Sequence, residues 1–135
     1  MTLDGRLIAN LILDHFDSEE WAISNKKINK LIYFCHGFSL CRLSQPLVRN
    51  HFEAWRHGPV IKVVYDNFKK AEFSPIKIRA TAFDYVEARE LPVSYQAISS
   101  QMRDFILGIT EHFIGESADE LEQITHESGS PWHIV

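Results

Sequence analysis

EAWRHGPVIKVVYDNF, Glu53 to Phe68, decides how this chain is built. It sets Trp55, Arg56 and His57 directly before Gly58-Pro59, and an apolar run follows at once. Gly58 allows a backbone angle that other residues avoid. Pro59 suits the first turn of a helix, where its missing N–H is not needed. Val60, Val63, Val64, Tyr65 and Phe68 then predict a helix to about Lys70, held by packing because β-branched residues are poor helix formers. Upstream, PLVRNHFEAWRHG (46–58) is aromatic and carries no helical stripe, so it predicts an extended connection with one short strand near Phe52 to Trp55.

Working outward, Leu7, Ile8, Leu11, Ile12 and Phe16 repeat with a helical period, and the acidic DSEE run (17–20) ends that helix. Ser24 is an N-cap candidate for a long helix over 24–44, in which Ile28, Leu31, Ile32, Cys35 and Phe38 form one stripe. Lys26, Lys27 and Lys30 fall on its other faces. Gly37 sits mid-helix, read either as a close approach of another backbone or as simple tolerance. Gln45-Pro46 breaks the helix. Between Ser74 and Val93 the period drops to two, as in Ile76-Lys-Ile78 and Phe83-Asp-Tyr85. One or two short strands are expected, with pairing to the segment before Trp55 the suggested arrangement. Ile98, Met102, Phe105, Ile106, Ile109 and Phe113 predict another helix, ended by Gly115. Ser117 and Glu120 form a capping box for a short helix carrying Leu121 and Ile124. The expected fold is mainly α with a small antiparallel β-sheet (α+β): one compact single domain, 1–135, a bundle of about five helices.

With 135 residues and 45% hydrophobic content, the chain can bury one real core but not two. A net charge of −4 argues against a large electrostatic grip on nucleic acid, and the lysines of the 24–44 helix read as a solvated face. No apolar run reaches the ~18 residues of a membrane span, so no membrane partner is expected. No signal segment precedes Cys35 and Cys41, and a cytoplasmic setting is the default. Six positions apart on a helix, the two cysteines lie roughly 9 Å apart along its axis, too far for a disulfide, and both read as small core hydrophobes.

Seven histidines invite a metal, but no HxH, HExxH or CxxC spacing supports one. No cofactor motif is present. Cys35 and His36 are adjacent, so their side chains diverge by about 100° on a helix and cannot act on each other directly. Glu53 stands in an apolar setting and reads as a structural pair with a base, or else as functional. Trp55 and Trp132 are the better clue, because tryptophan anchors both cores and interface hot spots. Trp55 is expected to pack its strand on the helices, leaving Arg56 and His57 exposed.

Three stretches together resemble the Panacea domain, the SocA-like antitoxin family. In the first, Ile28, Leu31, Tyr33 and Gly37 occupy the family's early helix, with Asn29-Lys30 inside it. Next, Pro46, Leu47, Glu53, Ala54, Trp55, Gly58, Pro59, Val60 and Tyr65 match its most specific block. At the end, Leu121, Thr125, His126, Pro131 and Trp132 match the closing pattern. The resemblance implies a non-enzymatic antitoxin that neutralises a cognate protein toxin by direct binding. A proteolytic adaptor delivering its toxin to a protease, or a phage or prophage regulator of a host protein, are the related alternatives. A hydrolase or nucleic-acid enzyme using His36, His57 or His126 is the alternative of another class. The matching block implies a fixed structural joint, against which Thr125-His126 and Pro131-Trp132 are expected to stack. Because polar residues recur inside apolar motifs there, Glu53, Thr125 and His126 are expected to form a buried polar cluster. Lys27, Lys30, Arg49, Arg56 and His57 are the candidate partner contacts, and a homodimer is compatible with this picture. Two departures stand out. Arg49-Asn50 replaces an acidic position, and relatives continue past the Pro-Trp pair with a further segment.

Overall fold

A computed structural model describes residues 2–126, and of His126 only the backbone. The elements are α1 (Gly5–His15), α2 (Asn25–Leu43), β1 (Phe52–Trp55), β2 (Gly58–Ile61), α3 (Lys62–Phe68), β3 (Thr81–Asp84), β4 (Arg89–Pro92), α4 (Ser100–Phe113) and α5 (Ala118–His126), with a 3-10 turn at Lys69–Ala71. Five helices and two small antiparallel ribbons make the α+β class expected from the sequence.

Helix α2 is the axis, and α1, α3, α4, α5 and β2 all pack on it. Its side-chain caps follow the sequence rules: the Ser24 hydroxyl accepts from the Lys27 N–H, as Asp4 accepts from Arg6 N–H at the start of α1. Ile28, Leu31, Ile32, Phe34 and Cys35 fill the centre with Ile8, Leu11 and Ile12 of α1 and Ile106 of α4. Phe34 stacks on Phe113 of α4 with ring centroids 4.5 Å apart.

The single stripe expected on α2 is corrected. Five neighbours cover it on every side, so Asn25, Lys27, Asn29, Lys30 and His36 are buried as well. Each of these polar groups then needs a partner. The Asn29 side chain donates to the Asn25 carbonyl at 3.0 Å and accepts the Ile61 N–H at 3.0 Å, tying α2 to β2. His36 Nδ1 accepts the N–H groups of Leu47 and Val48, and burial lowers its affinity for a proton. Only the end of α2 runs clear of its neighbours. Cys35 is a core residue as read, whereas Cys41 is exposed, the reverse of its expected burial.

The joint after Trp55 also differs from expectation. Gly58 does take a positive φ of 117°, but it opens a strand and not a helix. β1 and β2 form a hairpin closed by Arg56 and His57, with Trp55 opposite Gly58 and Ala54 opposite Pro59. Pro59 is tolerated because alternate N–H groups of a two-stranded ribbon point away from the partner strand. The helix begins only at Lys62.

Residues 76–79 alternate in sequence yet form no strand. They lie against the 17–24 loop, where Ile76 donates its N–H to the Ile23 carbonyl and Ser18 Oγ donates to the Ile76 carbonyl. β3 and β4 pair with each other and not with β1, correcting the suggested pairing. Asn10 clamps that second ribbon to α1: its side chain accepts the Ala80 N–H and donates to the carbonyls of Ala80 and Val93, all within 3.0 Å.

The capping box of α5 forms as read. Ser117 Oγ accepts the Glu120 N–H at 3.0 Å, and Glu120 Oε1 accepts the Ser117 N–H at 2.7 Å. Ser117→Ala is expected to lower stability by about 1 kcal/mol, measured by thermal unfolding. No change would show that α5 is held by the packing of Leu121 alone.

Candidate functional site

The hairpin, the first half of α2, α3 and the 3-10 turn with the residues just after it surround a cavity of about 390 Å³. Its floor is buried: Asn25, Asn29 and Lys30 from α2, and Val60 from β2. The rim is open. Trp55 is 36% exposed and Phe73 is 90% exposed, and both line it. The Trp55 ring meets Tyr65 edge-on at 4.8 Å, and its Nε1 donates to Glu53 Oε1 at 2.9 Å. Tryptophan is thereby held in place while staying partly exposed.

Charge in the site is uneven. Lys26, Lys30, Arg56 and Lys69 line it against a single carboxylate, Glu72. Lys26 spans to α5, 3.0 Å from Asp119 and 3.4 Å from Glu122. His57 Nδ1 also lies 3.2 Å from Glu122 Oε1. Those three contacts tie the hairpin tip and α2 to the same side of α5. Lys30 behaves differently. It is 1% exposed, and burial, aided by repulsion from Lys26, pushes its ammonium from 10.5 down to about 8. The attraction of Glu122 and Asp119 offsets only part of that. Gly58 keeps its glycine for backbone reasons, since a Cβ there would stand 3.8 Å from Lys30 Nζ and from Thr125 Oγ1, in ordinary contact.

The structure brings Trp55, Val60 and Tyr65, expected as parts of a structural joint, together with Arg56, His57 and Lys30, expected as partner contacts, and it buries Lys30, which the sequence put on an exposed face. The other candidate contacts scatter. Lys27, 3% exposed, is corrected from a surface contact to an internal strut: its Nζ donates to the carbonyls of Trp21 and Ile114, both at 2.6 Å. Arg49 lies elsewhere, 3.2 Å from Asp4, and Asn50 accepts the Gly5 N–H, so the loop that departs from the family pattern is engaged with the start of α1.

The buried cluster of Glu53, Thr125 and His126 is corrected for Glu53. That residue and Ala54 are exposed, because the outer strand of a two-stranded ribbon has no element over it among the described residues. Thr125 is buried and donates to the Glu122 carbonyl at 2.6 Å. The His126 side chain, Pro131 and Trp132 lie outside the described residues.

The sequence reading missed Asn25, Lys69, Glu72, Glu122 and Phe73. A lone phenylalanine inside the polar run KKAEFSP (69–75) was the one available signal for the last.

Catalytic constellations do not assemble from the groups considered. Burial pushes the Cys35 thiol up to about 12, which disfavours the nucleophilic thiolate, and His36 spends Nδ1 on two backbone N–H groups. Among the described residues, no group of three His, Cys, Asp or Glu side chains converges as a metal site. No helix among them is long and apolar enough to cross a membrane.

Comparison with known proteins gives two matches. The family model for "Antitoxin SocA-like, Panacea domain" matches residues 28–133. Antitoxin SocA of Caulobacter vibrioides (strain NA1000 / CB15N) is 35% identical over 137 residues, covering 99% of this chain and 71% of that protein. No solved structure matches.

Proposed function

Because this chain belongs to the SocA-like antitoxin, Panacea domain family, we propose that it is an antitoxin that neutralises a cognate protein toxin by binding it directly, with the hairpin and its cavity as the docking surface. The likeness to a curated antitoxin along nearly the whole chain carries this reading. The exposed aromatic rings of Trp55 and Phe73 beside buried Lys30 support the choice of surface, since interface hot spots combine aromatic anchors with charged groups that become desolvated.

Co-expression with the protein encoded next to it tests the reading. The neighbour alone is expected to stop growth, the pair to grow, and the two to co-purify at equal stoichiometry. Growth arrest that persists in the pair, with no co-purification, would overturn it. Loss of the toxin from cells only when a protease is present would move the mechanism to delivery for degradation.

A further inference from the structure

Among the described residues, Lys30 is the one buried cation that the fold leaves unexplained. Lys27, buried just as deeply, donates to two carbonyls. Lys30 Nζ donates to none of the described residues, although it lies deep enough for burial to lower its affinity for a proton. Asp119 and Glu122, the nearest acids, are held at Lys26, with Glu122 also facing His57. A nearly buried ammonium with no acceptor among the described residues is unfavourable, and it stands on the floor of an open cavity walled by aromatic rings.

We propose that this cavity receives an acidic residue of the partner with an apolar residue beside it, the carboxylate pairing with Lys30 Nζ and the apolar neighbour lying on Trp55 and Phe73. That the partner is a toxin rests on the function proposed above. The carboxylate follows from the site itself. A bound phosphate is gripped by several converging donors or by a forked guanidinium. On the floor, among the described residues, the donors left are the Lys30 ammonium and one N–H of the Asn25 amide, whose other N–H goes to the Tyr65 carbonyl while the Asn29 amide goes to Asn25. Two donors suit the two oxygens of one carboxylate. Because the rim cations attract either anion, phosphate is the competing probe. The cavity of about 390 Å³ also falls in the range of small-ligand sites and accommodates a two-residue segment. Rim cations Arg56 and Lys69 favour an acidic segment over a neutral one, in a chain whose net charge is −4.

The test uses the full chain and three probes followed by NMR at the Lys30 ε-methylene and the Trp55 indole. They are N-acetyl-Glu-Phe-amide, N-acetyl-Gln-Phe-amide and inorganic phosphate. The glutamyl peptide is expected to give saturable shifts and to raise the Lys30 titration midpoint. The glutaminyl peptide should bind at least about tenfold more weakly, as fits the loss of one charge-assisted contact. Lys30→Met should abolish the difference between the two peptides while its spectrum stays folded. Equal binding of both peptides, tighter binding of phosphate, or no shift at either residue would overturn the proposal.

Toxin neutralisation is scored in parallel. If the wild type protects cells and Lys30→Met protects equally, this docking site fails and the antitoxin function stands. If the glutamyl peptide binds and the wild type neutralises nothing, the carboxylate site is supported and the toxin is lost as its occupant.

Discussion

Lys30→Met raises the stability of the free protein at pH 7, by up to about 3 kcal/mol. The folded chain holds the Lys30 proton with a value near 8 against 10.5 for an exposed lysine. The native state therefore binds fewer protons than the unfolded chain between those two pH values, and stability rises with pH across that window. Below about pH 8 the full burial penalty stands, and above about pH 10.5 it is gone. Methionine keeps most of the volume of the lysine stem and removes the charge, so packing changes little. Urea unfolding of both proteins at pH 7 and pH 10 checks this. The gap between variant and wild type should be wide at pH 7 and should shrink at pH 10. A variant less stable than wild type at pH 7 would mean that Lys30 has an acceptor after all. A stability gain joined to a loss of partner binding is the pattern of a residue kept for function against its own folding cost.

Lys27→Met, three positions away on the same helix, is expected to move stability the other way, by about 2–4 kcal/mol. Burial lowers the proton affinity of Lys27 too, against the attraction of Glu116 and Glu120. The difference is that Lys27 Nζ satisfies the carbonyls of Trp21 and Ile114 at 2.6 Å each. One carbonyl belongs to the loop entering α2 and the other to the end of α4, so the amine joins three segments. Methionine would leave both oxygens without that donor in a buried place, and an unmet buried acceptor costs about 1–3 kcal/mol. The same unfolding series decides the matter. A Lys27→Met protein as stable as wild type would show that water reaches those carbonyls.

The two lysines also mark how far the sequence could be read. Both were singled out for their charge on a long helix, and charge on a helix ordinarily means a solvated face. What reverses that reading is the crowd around α2. Elements from α1 to α5 close over it, most of them distant from it in sequence. Arg56 and His57 were legible as exposed because they sit beside a glycine at a turn, whereas Trp55, expected to pack its strand on the helices, is exposed as well. Phe73 was not, since its exposure depends on how the segment after α3 leaves the core.

The sequence alone determined what lies within a few residues of itself. The helical periods of α1, α2 and α4, the Ser24 cap, the Ser117–Glu120 box, the strand at Phe52–Trp55 and the positive φ of Gly58 are all short-range consequences of side-chain shape and hydrogen bonding. Its family-specific block identified the chain as well. The tertiary structure alone decided that Pro59 continues a hairpin, that β3 and β4 form a ribbon of their own, that Cys41 faces out, and that Lys27 is braced while Lys30 is not. The physical reason is one of range. Local patterns state which faces of an element are apolar, but the partner of a buried amine is set by backbone carbonyls and carboxylates brought in from distant parts of the chain.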